Sequence, residues 1–252
     1  MIDRIRKILE RADGGERVMP PTELYNEGWL LRLALDWFAE HPGIDGELAV
    51  PEGVRWYSEA LLPSPFLARW RGDPLTETYT HADGAVGEFR IGESGAGDLA
   101  LNDHVSHFVV LEAKLNSKLS SGIKNAPGYD QAARNVACIA HVISAAPCPL
   151  EQIETIGFFV VAPDSQIQRG VFAQQLEKSS IRDKVAARVA SYEDAGRDTW
   201  FVNDFEPVLN RLRIDSVSWE SVAASITAVD RAAGRDFDEF YSRCLTHNRL
   251  PR

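Results

Sequence analysis

The chain has 252 residues, 44% of them hydrophobic and 25% charged, which is enough for one large α/β domain with a sizeable core. A net charge of −10 argues against a protein that coats nucleic acid non-specifically, because such coating depends on neutralising many phosphates. It leaves room for a site that holds divalent cations, since that site must itself be acidic.

Other features narrow the class. No run of apolar residues approaches the length of a membrane span. The first residues, MIDRIRKILERADGGERV, mix acids and bases and lack the continuous apolar stretch of a secretory leader. A cytoplasmic location is therefore expected. Cys138, Cys148 and Cys244 are too scattered for a disulfide framework or a zinc site, and His104 and His107 read as part of a turn.

Taken in order, residues 1–12 place Ile2, Ile5, Ile8 and Leu9 at helical spacing. A glycine pair follows, and PPTELYNEGWLLRLALDWFAEHPG reads as a helix opened by prolines and closed by His41-Pro42-Gly43. Residues 43–80 have no clear period, and irregular structure with a short helix near Ser58–Leu62 is expected. GAVGEFRIG, GDLALN and FVVLEAKL read as three strands separated by the turns ESGAG and NDHVSH. The apolar run from Phe108 to Leu111 suits a central strand covered on both faces. YDQAARNVACIAHVI reads as a helix and IGFFVVAP as a fourth strand. Beyond Pro163 the pattern is mostly helical, with a short strand at TWFV and two further helices within 219–245. Arg182, Lys184 and Arg188 read as a solvated helix face.

Chemistry concentrates at one place. Glu112 and Lys114 share a face at the end of an apolar strand, where unpaired charge is costly to bury. If GDLALN pairs with that strand as a hairpin, Asp98 comes within roughly 4–6 Å of Glu112, and the two carboxylates can share a hard cation such as Mg²⁺. Lys114 can then orient the attacking water or stabilise charge on a phosphate.

Thirteen residues separate Asp98 from Glu112-Ala113-Lys114. On a strand pair between two helices, this pattern resembles the PD-(D/E)XK nuclease superfamily over roughly residues 20–163, with Gly97 where the nominal proline would stand. The resemblance implies a restriction-endonuclease-like fold: a mixed central sheet flanked by helices in 1–204, with a helical C-terminal extension in 205–252. It implies phosphodiester hydrolysis, in DNA above all, with Mg²⁺ or Mn²⁺ held by Asp98 and Glu112 and with Lys114 as the family's lysine. Glu27 lies on the same helical stripe as Leu31, Ala34 and Phe38. It is either a third metal ligand, as a first-helix glutamate is in many members of that superfamily, or half of a buried ion pair; Glu23 is the fallback. Gln131 matches the polar residue that such nucleases place on the following helix. Lys118 and Lys124, in a hydroxyl-rich loop, and Arg134 are candidate nucleic-acid contacts, with Tyr129 beside them.

Two other readings remain. The same fold could serve as a non-catalytic binding or assembly protein, which the acidic surface and the helical tail favour. A small-phosphoester hydrolase would instead need a closed pocket. A homodimer is compatible with the apolar helices at the C-terminus.

Overall fold

The computed structural model describes residues 1–92, 97–123 and 125–248. Three helices come first: α1 (Ile2–Asp13), α2 (Pro21–Leu24) and α3 (Glu27–Glu40). Then come β1 (Arg55–Pro63), β2 (Tyr79–Gly87), the short β3 (Phe89–Ile91) and β4 (Leu99–Leu101), β5 (His107–Ala113), and the two-residue strands β6 (Gly122–Ile123) and β7 (Ala126–Pro127). α4 (Gln131–Ser144) leads into β8 (Thr155–Ala162). The helices α5 (Asp164–Gln168), α6 (Ala173–Leu176), α7 (Lys178–Ala190), α8 (Ala195–Trp200) and α9 (Glu206–Arg211) follow. The chain ends with β9 (Arg213–Ser218), α10 (Trp219–Val229) and α11 (Arg231–His247). None of the described helices is long and apolar enough to cross a membrane.

The central sheet has five strands in the order β1-β2-β5-β8-β9. β1, β2 and β5 run antiparallel, whereas β5, β8 and β9 run parallel. Helices cover both faces. Phe108 and Val110 of β5, with Phe158 and Val160 of β8, join a core with α4, α7 and α9. Val109 and Leu111, with Phe159 and Val161, join a second core with α3, α10 and α11. Every residue of β5 is buried, so its apolar run reflects a strand that has lost solvent on both sides. The fold is therefore α/β, a mixed sheet between helical layers.

Several elements differ from the sequence expectation. Residues 55–63 form an edge strand rather than a short helix near Ser58–Leu62. Ala60 and Leu62 alternate inward, and pairing with β2 outweighs the helical preference of Glu59-Ala60-Leu61-Leu62. The segment TWFV is helical, running from α8 into a wide turn at Phe201–Phe205 that buries Phe201 and Phe205 against each other. GDLALN contributes only β4, which pairs with β3 and not with β5. The expected turn ESGAG lies mostly outside the described residues. Residues 205–252 are no appendage: β9 is the fifth strand of the sheet, and Trp219 is fully buried beneath α11. Cys138, Cys148 and Cys244 are buried free thiols, as expected.

Trp219 also donates its indole N–H to the Lys114 carbonyl at 2.9 Å, so the last third of the chain braces the end of β5. Trp219→Ala should therefore lower unfolding free energy by about 3–5 kcal/mol, read as a fall in urea midpoint at constant slope. A loss below about 1 kcal/mol would mean that this region contributes little to the common core.

Candidate active site

The β2–β5 ladder runs from Gly87↔Phe108 to Gly84↔Leu111 and is then replaced by a side chain. Asp83 Oδ2 accepts the Ala113 N–H at 2.7 Å, where a strand carbonyl would otherwise stand. Gly84 lets α3 pack closely on the other face of β2, since a Cβ there would meet Leu31 Cδ2 at 3.0 Å. On β1, Ser58 and Ala60 pair with Gly84 and Ala82, which sets Glu59 opposite Asp83. Glu59 has a φ of 54°, a backbone state that is unfavourable for a non-glycine strand residue.

Glu112 and Lys114 project from the same face of β5, towards α4. The Lys114 ammonium lies 2.6 Å from Glu112 Oε1, 3.0 Å from the Ala113 carbonyl oxygen and 3.7 Å from Asp83 Oδ2. Glu112 is 2% exposed. The carboxylates of Asp83 and Glu112 are close enough to hydrogen-bond when one is protonated. Burial, and then the Asp83 charge, push the Glu112 carboxyl up to about 8, against the opposing pull of Lys114.

α4 closes the site. Its N-cap Asp130 accepts from the Ala133 N–H at 3.0 Å and from Lys184 Nζ at 2.6 Å. That fixes Gln131 at the first helical position, where its Nε2 donates to Glu112 Oε1. The Gln131 Oε1 accepts the Ser120 N–H at 3.1 Å, tying the loop after β5 to the helix. One turn on, Asn135 Nδ2 lies 3.4 Å from Glu112 Oε2. Its Oδ1 is buried with no protein partner, which leaves an acceptor for a water.

Of the residues singled out in the sequence, Glu112, Lys114 and Gln131 come together. Asp98 does not. It bridges Leu61 on the outer side of β1, while Leu61 pairs on its other side with His81 of β2. Three strand spacings, roughly 14 Å, therefore separate its backbone from β5. The expected approach of Asp98 to Glu112 fails because β4 pairs with β3, and Asp83 occupies the place assigned to Asp98.

Glu27 is also displaced from its expected role. α3 packs on the face of the sheet opposite Glu112, and the Glu27 carboxylate is near the Cys244 thiol of α11, whose pKa it helps to raise. Among the described residues, no group of three or more acidic, histidine or cysteine side chains converges as a metal cluster. The fallback Glu23 is exposed on α2.

The remaining candidates divide. Lys118 is exposed in the loop after β5. Lys124 lies outside the described residues. Arg134 is committed to the buried Glu77, with its Nε 2.6 Å from Glu77 Oε1, and Tyr129 is buried against Phe66. Arg182 and Lys184 are held by Glu206 and Asp130. Arg188 is 3% exposed and lies over the rings of Phe66, Tyr129 and Tyr192, so it is no solvated charge.

Sequence reasoning missed Asp83, Asn135 and the Ala113 carbonyl. Asp83-Gly84 reads as a turn, because both residue types are depleted in strands. The usable signal was period two: buried Thr80, Ala82 and Gly84 alternate with Tyr79, His81 and Asp83, which are not buried. Asn135 could have been found from Gln131, since residues four apart share a helix face.

No family model, curated protein or solved structure matches this chain.

Because the folded Glu112 carboxyl titrates near 8 rather than its ordinary 4.5, the folded protein binds a proton that the unfolded chain has released. This contribution to stability is complete below pH 4.5 and is lost as pH rises through 8. In chelator, wild-type stability should therefore fall relative to Glu112→Gln by up to about 1.4 kcal/mol per pH unit across that window. Parallel pH profiles for the two proteins, measured by urea unfolding, would mean that the carboxyl is ionised throughout.

Proposed function

We propose that this protein is a metal-dependent nuclease whose site is Asp83, Glu112 and Lys114, supported by Gln131 and Asn135. The observation that carries the reading is the setting of the Lys114 ammonium among three oxygens: the Glu112 carboxylate, the Ala113 carbonyl and, less closely, the Asp83 carboxylate. Two neighbouring carboxyl groups share a single ammonium there, in a largely buried place. A hard divalent cation suits such a donor set, with water and substrate oxygens completing its shell. When bound, Mg²⁺ or Mn²⁺ would polarise the phosphate and lower the pKa of a ligated water.

The chain's own residues supply the rest. Asp83 and Glu112 would hold the ion, together with the Ala113 carbonyl. Neutralising the two carboxylates would release Lys114 to face the phosphate or the attacking water. Gln131 and Asn135 orient the Glu112 carboxylate through both of its oxygens. Lys118, exposed on the loop that Gln131 anchors, would meet the flanking backbone.

The PD-(D/E)XK resemblance fits better with Asp83 than with Asp98. Twenty-eight residues then separate the aspartate from Glu112-Ala113-Lys114, the two strands are hydrogen-bonded neighbours, and helix α4 with parallel β8 follows. The antiparallel β1-β2-β5 run continued by parallel β8 supports a restriction-endonuclease-like assignment. DNA is the proposed substrate.

The test is cleavage of plasmid, linear and single-stranded DNA in Mn²⁺, beside Mn²⁺ titration of each variant. Asp83→Asn should weaken Mn²⁺ binding and reduce cleavage by at least about a hundredfold. Asp98→Asn should leave both near wild type. Lys114→Ala should abolish cleavage while Mn²⁺ still binds, because an ammonium is no ligand. If Asp98→Asn is inactive and Asp83→Asn active, the assignment of the aspartate is wrong. If the wild type neither binds Mn²⁺ nor cleaves, the nuclease reading falls.

A further inference from the structure

Two surfaces outside the site lack a partner, and they complement each other. The first is α1. Ile2, Ile5 and Ile8 lie on one face and are 77%, 48% and 44% exposed, and no residue of the helix is buried. Twelve residues make a helix that is marginal by itself in water. α1 is tied to the body at its last residue, where Asp13 accepts from Tyr25 Oη at 2.5 Å and pairs with Arg243. Arg4, Lys7 and Arg11 flank the apolar face on one side. Arg11 is paired with Glu16, whereas Arg4 and Lys7 have no ion-pair partner among the described residues.

The second surface is a groove of about 400 Å³ between α3 and the α10–α11 pair. Leu33 and Trp37, one turn apart on α3, form one wall, and Phe240 of α11 forms the other. Trp29, one turn before Leu33 and 39% exposed, extends the ridge. The charged residues lining the groove are Asp36, Glu40 and Asp236, all acidic. None of the three has an ion-pair partner among the described residues. The chain's own α1, pinned at Asp13, leaves Leu33 42% exposed.

We infer that α1 of one molecule docks into the α3–α11 groove of a second copy, making a reciprocal homodimer. An amphipathic helix with exposed isoleucines and unpaired cations meets an apolar groove with unpaired anions, a helix-in-groove mode. Both surfaces belong to one chain, so a two-fold axis satisfies them together and closes the assembly. A single such contact is small beside the roughly 1,000 Å² that a specific interface needs, and reciprocity doubles it. This interface is independent of the site at Glu112.

The experiment is light scattering after size exclusion on the full chain. The wild type should run at twice the 28.0 kDa chain mass. Ile5→Glu with Ile8→Glu, and separately Leu33→Glu, should give monomers with unchanged circular dichroism, since all three residues are exposed. Reversing one side, by Arg4→Glu with Lys7→Glu or by Asp36→Lys with Asp236→Lys, should weaken the dimer at least about tenfold. Combining all four reversals should restore it. A wild type that stays monomeric at about 1 mM overturns the proposal. So does a dimer that survives Leu33→Glu but not the isoleucine changes, which would mean α1 pairs with α1. Failure of the fourfold reversal to restore the dimer also overturns it.

Discussion

Glu112 is buried beside Asp83 with one ammonium between them, and much of this molecule is organised around that arrangement. Two carboxylates in a low-dielectric place repel each other and lose hydration, so at least one must be protonated, paired with a cation or surrounded by donors. The fold supplies all the donors it can. Lys114 comes from the same strand, Gln131 and Asn135 from α4, and the Ala113 amide turns to Asp83. Burial, and then the Asp83 charge, still hold the Glu112 carboxyl above its ordinary range.

The surrounding elements act through that point. The β2–β5 ladder stops one residue short of Asp83, so the strands part where the acids need room. The loop after β5 is fastened to α4 by Ser120 and Gln131, which form two hydrogen bonds to each other. Asp130 caps α4 and is itself held by Lys184 of α7. From the other face of the sheet, Trp219 grips the Lys114 carbonyl. The helices after β8 therefore help to position the Glu112 cluster even though none of them contributes a side chain to it. A domain boundary near residue 205 would separate a strand end from its brace.

Stability and chemistry pull apart at Glu112. Replacing this buried, imperfectly balanced carboxyl with an amide removes a pH-dependent penalty, and under the proposed function it would also remove a metal ligand. Glu59, held at positive φ across from Asp83, shows the same tension in the backbone: strain beside a cluster of charges, offset by the neighbouring sheet.

The sequence by itself determined the helices at 27–40 and 131–144, the buried strands at 107–113 and 155–162, and the candidate grouping of Glu112, Lys114 and Gln131. Each of these is encoded locally, by a hydrophobic period or by charges at the end of an apolar run. It did not show which aspartate lies beside Glu112, because the choice between Asp83 and Asp98 is a choice of strand pairing. β4 has three residues to pair and β2 has nine, and only the assembled sheet decides which of them lies against β5. Glu27 shows the same limit, since its helical stripe marks an inward face but not which side of the sheet that face covers. β9 depends on pairing with β8, 56 residues earlier in the chain, and the bracing role of Trp219 on a contact across 105 residues. Periodicity is read within one segment, and pairing, facing and bracing are properties of two, so these were fixed only by the tertiary structure.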